Sequence, residues 1–159
     1  MLDIGIVLDT NFLIDHLDWL ENLLKLIQQD TNINIYVPYI VIQELDSLKL
    51  KKIVQVLYNS DIIILKEITS STIIRNNDDF ILENVLALDK SIKVLLSNDY
   101  NLCVKASVYS VKTVSRPLLD PLQFYLQLKG LLKDSRIKLG KIEVIQDMEI
   151  DTEQGILKI

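Results

Sequence analysis

Short apolar runs alternate along this chain with longer stretches whose apolar residues recur every three or four positions, and that rhythm limits the fold more than any other feature. Ile4-Gly5-Ile6-Val7-Leu8 is the first such run, and Asp9 closes it at once. A continuous apolar run of that length, without polar alternation, reads as a strand covered on both faces. Leu13, Leu17, Leu20, Leu24 and Ile27 then trace the stripe of one amphipathic helix, with Thr10 or Asn11 expected as its N-cap. Ile33 to Val37 reads as a second strand, stopped by Pro38, which can open a helix from about Tyr39 to Lys49. A further helix through Ile53, Val56 and Leu57 leads to a third strand, Ile62 to Leu65. Ser70-Ser71-Thr72 and Asn76-Asn77 bracket a polar loop before a helix from Phe80 to Leu88. Lys93 to Leu96 is a fourth strand, followed by a helix from Leu102 to Val108, a short strand from Val111 to Val114 and a helix after Pro121. Strands alternating with helices build βαβ units, so the expected fold is an α/β three-layer sandwich around a central parallel sheet.

Composition narrows the class. The 159 residues, 49% of them hydrophobic, suit one ordinary globular domain and are too apolar for a disordered chain. The domain is expected over residues 1–138, with an acidic tail over 139–159. No apolar run approaches the ~20 residues of a membrane span, and Met1-Leu2-Asp3 lacks a basic leader, so an intracellular protein without membrane contact is expected. The single cysteine, Cys103, cannot form an internal disulfide. The single histidine, His16, excludes chemistry that needs two. A formal charge of −5 is the wrong sign for a simple nucleic-acid surface, so basic patches must be local. One such arm gathers Lys129, Lys133, Arg136, Lys138 and Lys141 against Asp134.

Four acids stand out by position. In open α/β sheets, sites form beyond the carboxyl ends of the strands, where Asp9 and Asp99 follow two of the expected strands. At ~100° per residue, Glu44 falls inside the helical face of Ile40, Val41, Leu45 and Leu48, whereas Asp46 points away. Asp78 likewise shares the face of Ile81, Leu82, Val85 and Leu86, with Asp79 turned ~100° aside. A lone carboxylate on a core-facing stripe is costly. Each acid by itself could be a helix cap or a dipole partner, but four converging carboxylates would repel unless protonated or neutralised by a cation. Oxygen-only ligands favour a hard divalent ion, Mg²⁺ or Mn²⁺, and such ions commonly serve phosphoryl chemistry.

The contexts of these acids carry a resemblance. Val7-Leu8-Asp9-Thr10-Asn11-Phe12-Leu13-Ile14, Val37-Pro38-Tyr39-Ile40-Val41-Ile42-Gln43-Glu44-Leu45-Asp46, Asn77-Asp78-Asp79-Phe80-Ile81-Leu82 and Leu95-Leu96-Ser97-Asn98-Asp99-Tyr100-Asn101-Leu102-Cys103-Val104-Lys105-Ala106 resemble, in order, the four motifs of PIN-domain ribonucleases. The likeness runs over about residues 4 to 116 and is greatest to the eukaryotic mRNA-surveillance branch, which includes the synthetically-lethal-with-TREX type and the nonsense-mediated-decay endonuclease. It implies a Mg²⁺- or Mn²⁺-dependent endoribonuclease cutting single-stranded RNA, with Asp9, Glu44, Asp78 and Asp99 as catalytic and metal-binding acids. Thr10, Asn11 and Ser97 match positions that steady such a site through hydrogen bonds. A helicase or RNP partner and a place in the nucleus, at its periphery, or otherwise in the cytoplasm are implied with it. The stretch between Glu44 and Asp78 is shorter than is usual in that branch.

Other residues read more plainly. His16 belongs at the edge of an apolar stripe, Trp19 in a partly buried position, and Cys103 in the core. Lys49, Lys51, Lys52 and Lys105 are the basic residues placed to meet RNA phosphates, and Arg75 also lies near an acidic motif. Rival classes fit less well. A dehalogenase-type phosphatase wants a second Asp where Asn11 stands, and a receiver domain wants a pair of acids before the first strand's aspartate. A toxin-type PIN nuclease would usually have shorter helices. A catalytically degenerate PIN-like module, acting as a protein- or RNP-binding scaffold, is the alternative function.

Overall fold

The computed structural model describes residues 2–66, 77–115 and 119–140. Five strands form one sheet: β1 (Ile4–Leu8), β2 (Ile33–Pro38), β3 (Ile63–Leu65), β4 (Ile92–Leu96) and β5 (Lys112–Val114). Every pairing is parallel, in the order β3-β2-β1-β4-β5. The helices are α1 (Thr10–Asp15), α2 (Leu17–Ile27), α3 (Tyr39–Ser47), α4 (Lys51–Tyr58), α5 (Asn77–Leu86), α6 (Tyr100–Ser107) and α7 (Pro121–Leu131). The expected α/β sandwich with a central parallel sheet is therefore the fold. All five residues of β1 are buried, as its uninterrupted apolar run requires. Gly5 is needed there because a Cβ would meet the Cγ of Lys90 at 2.8 Å and the Cδ1 of Leu88 at 3.0 Å.

Right-handed crossovers place α1 to α4 on one face and α5 and α6 on the other. The packing agrees: α2 lies against α7, α3 against α4, and α5 against α6. α3 also touches α5, so helices from the two faces meet there. The chain steps outward from β1 to β2 in one direction and from β4 to β5 in the other. The carboxyl edge between β1 and β4 is thus the topological switch point, where an open crevice forms.

Two local expectations are corrected. The leucine stripe is carried by two helices, because His16 adopts φ −132° and ψ 34° and breaks the chain between α1 and α2. The break turns α2 so that Trp19 meets Phe12 edge-on and also packs on Phe124, while its Nε1 donates to the Leu119 carbonyl at 2.7 Å. The N-cap of α1 is Asp9, not Thr10 or Asn11. The polar loop expected around Ser70 to Asn76, with Arg75, and most of the acidic tail lie outside the described residues. No described helix is long and apolar enough to cross a membrane.

Candidate active site

Asp9 follows the last residue of β1 and is 5% exposed. Its backbone N–H donates to the Leu96 carbonyl of β4, which ties it to the switch point. Its two carboxylate oxygens have separate partners: Oδ1 accepts from the Thr10 N–H at 2.7 Å, and Oδ2 accepts from the Ser97 hydroxyl at 2.6 Å. Ser97 is fully buried just beyond β4, and its Oγ also accepts from the Asp99 N–H at 2.9 Å. One hydroxyl therefore fixes the aspartates of two neighbouring strands. Asp99 caps α6, accepting from the Leu102 N–H at 3.1 Å.

The helical acids arrive from two sides. Thr10, itself buried, donates its hydroxyl to Oε1 of Glu44 at 2.6 Å, bringing the middle of α3 to the start of α1. Asp46 is exposed, as its helical phase requires. Asp78 stands half-buried in the first turn of α5 and shares a hydrogen bond with Asp99. Burial, then the charge of Asp99, that hydrogen bond and the charge of Asp9 push the Asp78 carboxyl up to about 6, against the pull of Lys105. Burial also raises Asp9 above the usual carboxylate range; the Ser97 and Thr10 hydrogen bonds oppose this, and the charges of Glu44 and Asp99 add to it. The structure thus brings Asp9, Glu44, Asp78 and Asp99 into one electrostatically strained group.

Of the supporting residues, Thr10 and Ser97 bond directly to these acids, whereas Asn11 is an exposed neighbour on α1. Asn98, which the sequence did not single out, donates to Asp15 at 2.7 Å and ties the end of β4 to the end of α1. Its position between Ser97 and Asp99 was the available signal. Among the lysines, exposed Lys105 on α6 acts on Asp78. Lys49, Lys51 and Lys52 are exposed around the turn from α3 to α4, with Lys49 at φ 60°. In the basic arm, Lys129 is held by Asp30 at 2.6 Å and Arg136 by Asp134 at 3.0 Å. Burial pushes the Cys103 thiol up to about 11, so it stays protonated at neutral pH and packs as a small apolar group.

A cavity of about 360 Å³ lies elsewhere, lined by Leu24, Asp30, Ile33 and Ser60 at the opposite, amino edge of the sheet. The chemistry belongs at the carboxyl edge, where the carboxylates perturb one another.

The family comparison decides the class. The family described as PIN domain matches residues 6–71 and 53–116. This chain belongs to the PIN-domain family. PIN domains are generally nucleases and typically use divalent metals, so membership points to a nuclease-type, RNA-related function. No curated protein matches the chain. Among solved structures it is similar to a domain of a functionally unknown protein from Methanocaldococcus jannaschii, at 14% identity and TM-score 0.49, covering 72% of this chain and 92% of that one. Nothing among these matches points to the mRNA-surveillance branch.

The donor set of this PIN domain fits a hard cation. All four acids offer oxygen, and their mutual repulsion is what a divalent ion would relieve. Among the described residues, no three His, Cys, Asp or Glu side chains already stand together at metal-ligating spacing.

Proposed function

We propose that this PIN domain is a divalent-metal-dependent endoribonuclease that cuts single-stranded RNA. The observation that carries the reading is the meeting of Asp9, Asp99, Glu44 and Asp78 at the switch point, where the Ser97 hydroxyl joins Asp9 to Asp99 and the Thr10 hydroxyl holds Glu44. Asp9, Asp78 and Asp99 would hold Mg²⁺ or Mn²⁺, with Glu44 beside them. When bound, the ion would activate water and brace the leaving oxygen of a phosphodiester. The chain's own residues do the positioning. Ser97 keeps Asp9 and Asp99 in register, and Thr10 fixes the reach of Glu44. Lys105 offers a positive charge beside Asp78, where a backbone phosphate would otherwise meet carboxylates alone. Hydrolysis adds water across one P–O bond, leaving a phosphate on one fragment and a hydroxyl on the other.

Lys49, Lys51 and Lys52 extend the phosphate path in this reading. Motif context alone supports the finer part: a role in mRNA or RNP quality control, with a helicase or RNP partner, in the nucleus or at its periphery. The test is incubation of the purified protein with end-labelled single-stranded RNA and Mn²⁺, beside an Asp9→Asn control. Internal cleavage that disappears in the control is expected. Intact RNA with both proteins, at saturating metal, would overturn the nuclease reading in favour of a scaffold.

A further inference from the structure

A second feature lies one helical turn from the acids, where α3 meets α5. Tyr39, Ile40 and Gln43 from α3 and Phe80 and Asn84 from α5 enclose a cavity of about 10 Å³, room for one water-sized group. The spacing on each helix is four residues, so Tyr39 stacks above Gln43 and Phe80 above Asn84 on facing surfaces. Two aromatic rings and two side-chain amides thus converge. Gln43 immediately precedes Glu44, and Phe80 follows Asp78 by two positions.

Asn84 is the unusual member. It is only 4% exposed, and it sits in the apolar stripe of Ile81, Val85 and Leu88. Its Nδ2 donates to the Phe80 carbonyl at 2.7 Å, but its Oδ1 finds no hydrogen-bond partner among the described residues. A buried acceptor left unmatched is costly, so its retention asks for a donor that the described residues do not supply. Tyr39, by contrast, is 41% exposed and forms the outer lip of the cavity.

We propose that this cavity recognises one base of a single-stranded RNA, a proposal that rests on the nuclease reading for its substrate class. The base lies on the open face of Tyr39, as unstacked bases lie on aromatic rings. The cavity is too small for a ring but admits one projecting heavy atom, the exocyclic amine of adenine or cytosine. That amine donates to Asn84 Oδ1. Uracil offers only a carbonyl oxygen at the corresponding position and sets two acceptors against each other.

The experiment measures dissociation constants for fluorescein-labelled hexanucleotides of A, C and U by anisotropy, using the Asp9→Asn protein without metal to avoid cutting. The A and C oligomers are expected to bind roughly fivefold or more tightly than U, the worth of one net hydrogen bond. Asn84→Leu, which replaces the unmatched amide with an apolar group, should erase that preference while leaving the melting temperature unchanged or raised. Tyr39→Ala, at an exposed position, should weaken all three oligomers roughly tenfold. Equal binding of A, C and U, no measurable binding of any, or a preference that survives Asn84→Leu would each overturn the proposal. The nuclease reading fails separately: a base preference without metal-dependent cleavage refutes that reading and leaves the base site standing. Cleavage without base preference does the reverse.

Discussion

Ser97→Ala is the sharpest probe of how the candidate site is held. The Ser97 hydroxyl donates to Asp9 at 2.6 Å and accepts from the Asp99 N–H at 2.9 Å, in a place fully closed to water. Alanine fits the space but removes both bonds. A hydrogen bond to a charged group contributes roughly 1.5–3 kcal/mol, and an ordinary one about 1 kcal/mol. Partial rearrangement of Asp9 toward its remaining Thr10 donor offsets some of this, so the expected loss is roughly 2–3 kcal/mol. For a chain of this length each kcal/mol lowers the melting temperature by about 2–4 °C, giving a drop of roughly 5–10 °C at pH 7. The loss has a pH signature. Asp9 already titrates above the usual carboxylate range, so acid neutralises it and weakens its claim on the Ser97 donor. Calorimetric melts of both proteins at pH 7 and near pH 4.5 should show the difference shrinking in acid. A drop of equal size at both values would mean that Ser97 contributes packing rather than a bond to a charged carboxylate. No drop at all would refute the idea that it holds the two strand ends together.

Three further outcomes follow from the same geometry. Asp78→Asn should abolish Mn²⁺-dependent RNA cleavage while Asp79→Asn only weakens it, because the charges of Asp99 and Asp9 bear on Asp78; a gel assay in which Asp79 proved essential would show the helical phase to be misassigned. Without metal, Asp78 binds its proton more tightly folded, near 6, than at its ordinary value of 3.8, so stability should fall as pH rises from about 4 through about 6, and Asp78→Asn should flatten that slope in urea titrations. Asp30 accepts from Tyr125 at 2.7 Å and Lys129 at 2.6 Å, joining the end of α2 to α7; Asp30→Ala should cost roughly 1–2 kcal/mol at pH 7, read by chemical denaturation. Burial raises Asp30, but the two hydrogen bonds and the charge of Lys129 bring it below its ordinary value, so this contribution should persist from neutral pH until acid takes the carboxyl through its lowered pKa.

The legible parts of this protein were those that burial writes into the sequence with a period. A doubly covered strand appears as an unbroken apolar run, which is why β1 matches its expected limits, whereas β5, with Lys112 and Thr113 half-buried, carries no such run. The 3.6-residue period puts Glu44 on the inner side of α3 and leaves Asp46 exposed, whereas Asp78 and Asp79 are both half-buried. The break at His16 left no such mark. Leu13, Leu17, Leu20, Leu24 and Ile27 keep their spacing across it, since both helices bury their stripes in the same core and the period records burial, not continuity. Asp9 as the cap of α1 was hidden for a related reason. Its place at a strand end explained it already, and one carboxylate has enough oxygens to cap Thr10 and accept from Ser97 together.

Asn84 marks where periodic reading stops being sufficient. It occupies the stripe of Ile81, Val85 and Leu88, the pattern that drew attention to Asp78, yet an amide carries no charge and raised no alarm beside the acids. The physical cost is of the same kind: a polar atom taken out of water needs a partner, whether or not it is ionised. For Asp78 the structure supplies interacting groups in Asp99, Asp9 and Lys105, and the mismatch appears as a raised carboxyl. For Asn84 it supplies a partner for the amide nitrogen and none, among the described residues, for the oxygen. Both residues stand on α5: Asn84 is buried where the helix meets α3, and half-buried Asp78 lies in its first turn beside Asp99. A helix that keeps a buried amide and a half-buried carboxylate where apolar residues would be less costly is shaped by what those groups must meet.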